Sequence, residues 1–279
     1  MTTTQQRPSQ AEDMLPRPAE VVEVIDETPT IKTLVLKPAE PMGFRAGQFI
    51  QLTLPGVGEA PFTPSSSPLE PEKIAITILN TGAVTERLHR CAAGDTLGLR
   101  GPFGKGYPIE KLDGKEVLVV GGGVGLAPLR ALILALLGQM DKIKRMSIKY
   151  GARCVEELLY RDQHEQWASV AKVDFACTID NPQAGWDGRT GVVTTLLKGM
   201  DVEIANTLVF VCGPGIMLKF TTFTLLEERF SADQVYLSMN RRMSCGMGLC
   251  GRCNIGPYYL CKDGPDINYA LIKDYPNVF

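Results

Sequence analysis

The sequence predicts an antiparallel β-barrel, then an α/β domain on a parallel sheet, then a small cysteine-rich module. Three observations predict this. Short β-branched runs separated by Gly and Pro fill the first hundred residues. From Lys115 onward, apolar runs of strand length alternate with helical ones. The last forty residues gather four of the eight cysteines. A chain of 279 residues is long enough for two compact domains and a small third.

Residues 1–16, MTTTQQRPSQAEDMLP, are polar and lack an apolar h-region. They are expected to form a flexible tail rather than a signal peptide. Over residues 17–112, AEVVEVIDE, IKTLVLKP, GQFIQLTL, KIAITILN and DTLGLRG read as barrel strands. TERLHRCA (85–92) reads as one interrupting helix. Residues 113–239 change rhythm. KEVLVVGGG looks like a strand buried on both faces, and a helix of about a dozen residues follows. RMSIKYGA, KVDFACTI, NTLVFVCG and QVYLSMN then read as strands. VEELLYRDQHEQWASV, VVTTLLKGM and GIMLKFTTFTLLEERF read as the helices between them. Residues 240–279 form the module.

Hydrophobic content is 44% and charged content 22%, with a net charge of −2. That balance gives no reason to expect nucleic acid or an anionic membrane as partner. LAPLRALILALLG (126–138) is interrupted by Pro128 and Arg130 and is too short to span a bilayer. The cytoplasm is therefore the expected compartment, where clustered cysteines bind metal or do redox chemistry more often than they pair.

In the module, Cys245, Cys250, Cys253 and Cys261 are spaced C-x4-C-x2-C-x7-C. Gly246, Gly248 and Gly251 let the backbone wrap tightly and turn bare N–H groups toward sulfur. Structural zinc usually takes two C-x2-C pairs, and only one is present. C-x4-C-x2-C is the plant-type [2Fe–2S] run, which makes the iron–sulfur reading the expectation over zinc or a disulfide knot. GGGVGLAPLR (121–130) lies between a buried strand and a helix. Gly122, Gly123 and Gly125 would admit a pyrophosphate, and Pro128 is tolerated in the first helical turn. The spacing is not G-x-G-x-x-G, so a plain tight turn stays an alternative. A second loop, Cys212, Gly213 and Pro214, ends another buried strand, and in a parallel sheet both would lie at the carboxyl edge. Cys212 could equally be a buried apolar residue.

This order of barrel, GGGVGLAPLR and late CGPGIM resembles the ferredoxin–NADP reductase superfamily over residues 17–239. The resemblance implies FAD on the barrel and NAD(P)H on the α/β domain. With CGMGLCGRCNIGPYYLC added, it resembles the gamma (diaphorase) subunits of soluble nickel–iron hydrogenases. Electron-transfer subunits of dihydroorotate dehydrogenase are close behind. The seven-residue gap before Cys261 looks more like the hydrogenase type. APFTPSSSP (60–68) matches the family's R-x-Y-S-x-x-S flavin motif, with Pro61, Phe62, Thr63 and Ser66 in place and Ala60 replacing the arginine. Thr63 is the implied hydrogen-bond partner of flavin N5, unless it is only a turn threonine. Gly82, Val84 and Thr85 of NTGAVTERL resemble the second flavin motif, although Thr85 could be a plain N-cap. GPFG (101–104) resembles the loop that closes the barrel.

The implied activity is an NAD(P)H-dependent oxidoreductase subunit. Nicotinamide gives two electrons at once and a [2Fe–2S] cluster takes one, so flavin must stand between them. Thr63 and Cys212 would flank the reacting ring. His89 and His164 are expected to be bystanders. Arg153 could meet a 2′-phosphate, a slight lean to NADP, or be a solvated charge. The partner would be the catalytic and iron–sulfur subunits of a hetero-oligomeric complex. A self-sufficient reductase would need a whole ferredoxin domain, and a zinc-bearing scaffold would need both cofactor readings to fail.

Overall fold

The structure, a computed structural model, describes residues 14–279. Most of the tail expected over residues 1–16 lies outside the described residues.

The first domain is a six-stranded antiparallel sheet made of β1 (Arg17–Thr28), β2 (Ile31–Pro38), β3 (Phe49–Leu54), β4 (Gly58–Phe62), β5 (Ile74–Leu79) and β6 (Thr96–Phe103). Its order is β4-β3-β6-β1-β2-β5, curled around Leu34, Leu36, Ile50, Leu52, Ile76 and Leu99. β4, GEAPF, has no apolar alternation and escapes the sequence reading. Its Pro61 fits only an edge strand, which is where it lies. The expected helix over residues 85–92 is α1 (Ala83–Leu88). It starts earlier because the Thr85 hydroxyl accepts the Thr81 and Gly82 N–H groups, and it ends early in i→i+3 turns at Arg90 and Cys91.

The second sheet has the order β10-β9-β8-β7-β11-β12, with the C-terminal strand Asp266–Asn268 beside β12. Its parallel strands are β7 (Glu116–Gly122), β8 (Arg145–Ala152), β9 (Val173–Ile179), β10 (Arg189–Thr190), β11 (Thr207–Cys212) and β12 (Val235–Ser238). The helices are α2 (Leu126–Leu137), α3 (Arg161–Ala168) and α4 (Gly215–Glu227). β7 is buried throughout, with Val117 and Val119 in one apolar core and Leu118 and Val120 in the other. Two expected helices are shorter. α3 loses its first turns because Leu158–Tyr160 is buried as an irregular segment, with Tyr160 left-handed and the Leu159 N–H bonded to the Tyr150 hydroxyl. Between Gly191 and Gly199 only a 3-10 turn forms, over Val193–Leu197, packing Val193, Leu196 and Leu197 onto the sheet.

The C-terminal segment adds the hairpin β13 (Asn254–Ile255) and β14 (Tyr258–Tyr259), then α5 (Leu260–Asp263), β15 (Asp266–Asn268) and α6 (Tyr269–Ile272). β15 joins the edge of the second sheet antiparallel to β12, pairing Asp266 with Ser238. The module is thus stitched into the second sheet. Cys245, Cys253 and Cys261 share an apolar core with Leu237 of β12 and with Phe49 and Phe103 of the barrel.

Candidate functional site

The two glycine loops meet. β7 and β11 are adjacent and parallel, with Cys212 opposite Gly121, so GGGVG and CGPG emerge side by side at the carboxyl edge. Their backbones touch: a Cβ on Gly125 would strike the Cys212 carbonyl and come within 2.7 Å of the Gly213 nitrogen. Only glycine fits there, and the contact holds a bare-backbone cradle where α2 and α4 both begin. Gly122, Gly123, Cys212, Gly213 and Pro214 share this edge, and Pro128 sits in the first turn of α2, where no intrahelical N–H is needed. Arg153 is exposed just beyond β8. Two carboxylates nearby are committed: Glu156 accepts both bonds of the Gln183 amide at 2.6 and 2.9 Å, and Glu157 accepts the Thr30 hydroxyl at 3.0 Å.

Pro61 and Phe62 close β4 and Thr63 follows, all half-buried. The Ser66 hydroxyl accepts the Ala75 N–H at 3.1 Å, bracing the loop on β5. Neighbouring Ser65 is fully buried and bonded to Thr77, and its carbonyl accepts from Arg130 of α2 at 2.7 Å. The flavin-type loop is therefore tied to the helix that follows the glycine loop. Thr85 is at the third position of α1, not the N-cap, and its hydroxyl also donates to the Gly82 carbonyl, closing its own turn. Gly82 and Val84 lie in that turn. His89 bonds the Ile78 carbonyl and His164 the Leu159 carbonyl, both structural contacts.

The Cys253 thiol lies 3.3 Å from that of Cys261, and Cys245 interacts with Cys250. Burial opposes ionisation of Cys245, but the N–H groups of Met247, Cys250 and Leu249 outweigh it and bring the thiol down to about 6. Burial and the Cys253 thiol push Cys261 up to about 12, against the Gly248 N–H, which reaches its sulfur at 3.1 Å. Among the described residues no three or more His, Cys, Asp or Glu side chains converge on a single metal-holding point. The N–H groups of Met247 and Leu249 reach the Cys245 sulfur and that of Gly248 the Cys261 sulfur, donors of the kind that would stabilise metal-bound thiolates. Cys250 is the exposed member, beside Leu249, which is 64% exposed.

Sequence reasoning missed what seats this loop. The Gln51 amide of β3 donates to the Met243 carbonyl, and Arg100 of β6 donates to the carbonyls of Ser244 and Cys245. Arg100 is 5% exposed and is also held by both carboxylate oxygens of Glu59 in β4. A charged side chain among the apolar positions of DTLGLRG was the available signal. A second missed group is a buried polar knot of Tyr107, Ser238 and Asp266 near Cys212. Burial and the Asp266 charge push the Cys212 thiol up to about 12, so a neutral thiol stands at the carboxyl edge of the sheet.

Three family models match the chain in order. The oxidoreductase FAD-binding domain matches residues 19–107 and the oxidoreductase NAD-binding domain residues 119–222. The iron–sulfur cluster binding domain of dihydroorotate dehydrogenase B matches residues 240–273. Sulfhydrogenase 1 subunit gamma of Pyrococcus furiosus is 33% identical, over 86% of this chain and 84% of its own. The probable dihydroorotate dehydrogenase B (NAD(+)) electron transfer subunit of Methanocella arvoryzae is 35% identical, over 90% of each chain. A solved chain of the NADH-dependent reduced ferredoxin–NADP oxidoreductase superposes with a TM-score of 0.73 at 25% identity, over 91% of each. With its FAD-type barrel, its NAD-type sheet and its cysteine module in one chain, this protein belongs to the ferredoxin–NADP reductase-like family of oxidoreductases, among the electron-transfer subunits that carry a C-terminal iron–sulfur-binding domain.

Proposed function

We propose that this chain is the electron-input subunit of a soluble nickel–iron hydrogenase complex, holding FAD, a [2Fe–2S] cluster and a docking site for NAD(P)H. The observation that carries an electron-transfer role is the seating of the cysteine loop directly on barrel strands β3 and β6, with Cys250 exposed. Pro61, Phe62, Thr63 and the turn at Gly82, Val84 and Thr85 would hold the flavin. The two glycine loops would hold the nucleotide pyrophosphate at the start of α2. Cys245 and Cys250 would hold one iron, and Cys253 and Cys261 the other. When bound, the flavin exchanges electrons with nicotinamide in pairs and with an iron–sulfur cluster singly.

The chain's own groups do three things in this scheme. The close contact of Gly125 with the Cys212–Gly213 backbone would bring the two loops together, and open Gly123 would let a diphosphate approach the backbone closely. The neutral Cys212 thiol packs against the ring without adding charge. The N–H groups of Met247, Gly248 and Leu249 stabilise thiolates. Exposed Arg153, with Glu156 and Glu157 otherwise engaged, supports a slight preference for NADP. Ile216, Phe220 and Leu249 are large apolar side chains more than half exposed, which supports work inside a hetero-oligomer. No helix among the described residues is long and apolar enough to cross a membrane.

The match of residues 240–273 to the dihydroorotate dehydrogenase B domain favours a second reading, with that dehydrogenase as partner. Anaerobic co-purification from the native host, with iron, flavin and nickel assays, separates the two. Nickel with hydrogenase subunits is the expected result. A dihydroorotate dehydrogenase chain without nickel favours the second reading. A lone chain without iron or flavin contradicts both.

A further inference from the structure

Residues 240–246 run from β12 into the first cluster cysteine without regular structure. Their carbonyls have no ladder to join, and Met243 and Cys245 are buried. Three successive carbonyls are met instead by two barrel side chains. Gln51 serves Met243, and Arg100 serves Ser244 at 3.3 Å and Cys245 at 3.2 Å. Gln51 and Arg100 are register partners on β3 and β6, so the two donors form one edge. The guanidinium is fixed from behind by Glu59, which Thr53 also bonds at 2.7 Å, and it lies over the Phe103 ring at 5.6 Å. Phe103 in turn packs against Gly246. Glu59 stands two residues before Pro61, on the strand that carries the flavin-type motif.

We propose that Arg100 is a positioning residue that clamps the first cysteine of the cluster loop to the flavin strand, through Glu59 on one side and the Ser244 and Cys245 carbonyls on the other. This deepens the proposed function and rests on its assignment of an iron–sulfur cluster to the four cysteines. Geometry outweighs charge in this role. The carboxylate of Glu59 neutralises the guanidinium, so the pair offers the cluster little net field, whereas the planar fork reaches the carboxylate and both carbonyls at once. A lysine keeps the charge and loses the span.

The test uses the full chain with its cofactors in wild-type, R100K, R100Q and E59Q forms. Three readouts are taken: the rate of iron loss to a chelator, the electron paramagnetic resonance line shape of the reduced cluster, and the rate of flavin bleaching by NAD(P)H. R100K and R100Q should both lose iron about tenfold faster, the scale seen when partners of metal ligands are removed. Both should also broaden the cluster spectrum, while flavin bleaching keeps its wild-type rate. E59Q should move the first two readouts the same way by less. A wild-type rate and spectrum in R100K would overturn the proposal by showing that charge alone suffices, and wild-type behaviour in R100Q would overturn it outright. If R100Q does not fold, R100K and E59Q decide. A wild-type chain that binds no iron would sink the proposed function instead. Amide exchange at residues 243–247 of that iron-free chain would then decide the clamp, unchanged exchange in R100K overturning it.

Discussion

Asp266 is 6% exposed and its Oδ2 has no partner among the described residues. Its Oδ1 accepts the Ser238 hydroxyl. Burial raises the carboxyl to about 7, although the hydrogen bonds from Ser238 and Tyr107 pull the other way. The unfolded chain releases this proton near its ordinary value of 3.8, and the folded chain keeps it to about 7. Between those values the folded state binds more protons, so stability falls as pH rises from about 4 to about 7, and the loss is complete above that. Asp266→Asn should remove this loss. In urea unfolding the variant should gain on the wild type by about 4 kcal/mol between pH 4 and pH 8, as a shift of a unit carries about 1.4 kcal/mol. A constant difference across that range would show that Asp266 ionises normally.

Among the elements, the cysteine loop depends most on backbone conformation. Gly246 has φ +80°, and a Cβ there would lie 2.7 Å from the Phe103 ring. Gly246→Ala should cost about 1–2 kcal/mol for the left-handed backbone alone. The ring contact adds to that, and denaturant unfolding with an iron assay should show lower stability and poorer iron retention. The elements differ in how legible they were. β7 and β11 announced themselves because burial on both faces writes a continuous apolar run ending in glycine. The cysteines were legible by spacing. β4 was not, because a half-buried edge strand with a central proline has no periodicity. α3 was placed too early because Leu158, Leu159 and Tyr160 look helical in sequence but are buried as an irregular segment. Arg100 could be flagged only as a misplaced charge. Its partners lie more than forty residues away in one direction and 144 in the other, a pairing that only the tertiary structure makes.

At the scale of the molecule, the parallel sheet divides two apolar cores. One joins its first face to the barrel. The other joins its second face to the cysteine module and to Phe49 and Phe103 of the barrel. All three parts therefore share packing, which is what a fixed path between flavin, nucleotide and cluster requires. The most direct test is anaerobic titration of the purified holo chain with NAD(P)H, followed by visible absorption and electron paramagnetic resonance. About two irons per chain, flavin bleaching and the spectrum of one reduced two-iron cluster are expected. Bound zinc in place of iron, or bleached flavin with no cluster signal, would contradict the proposed function.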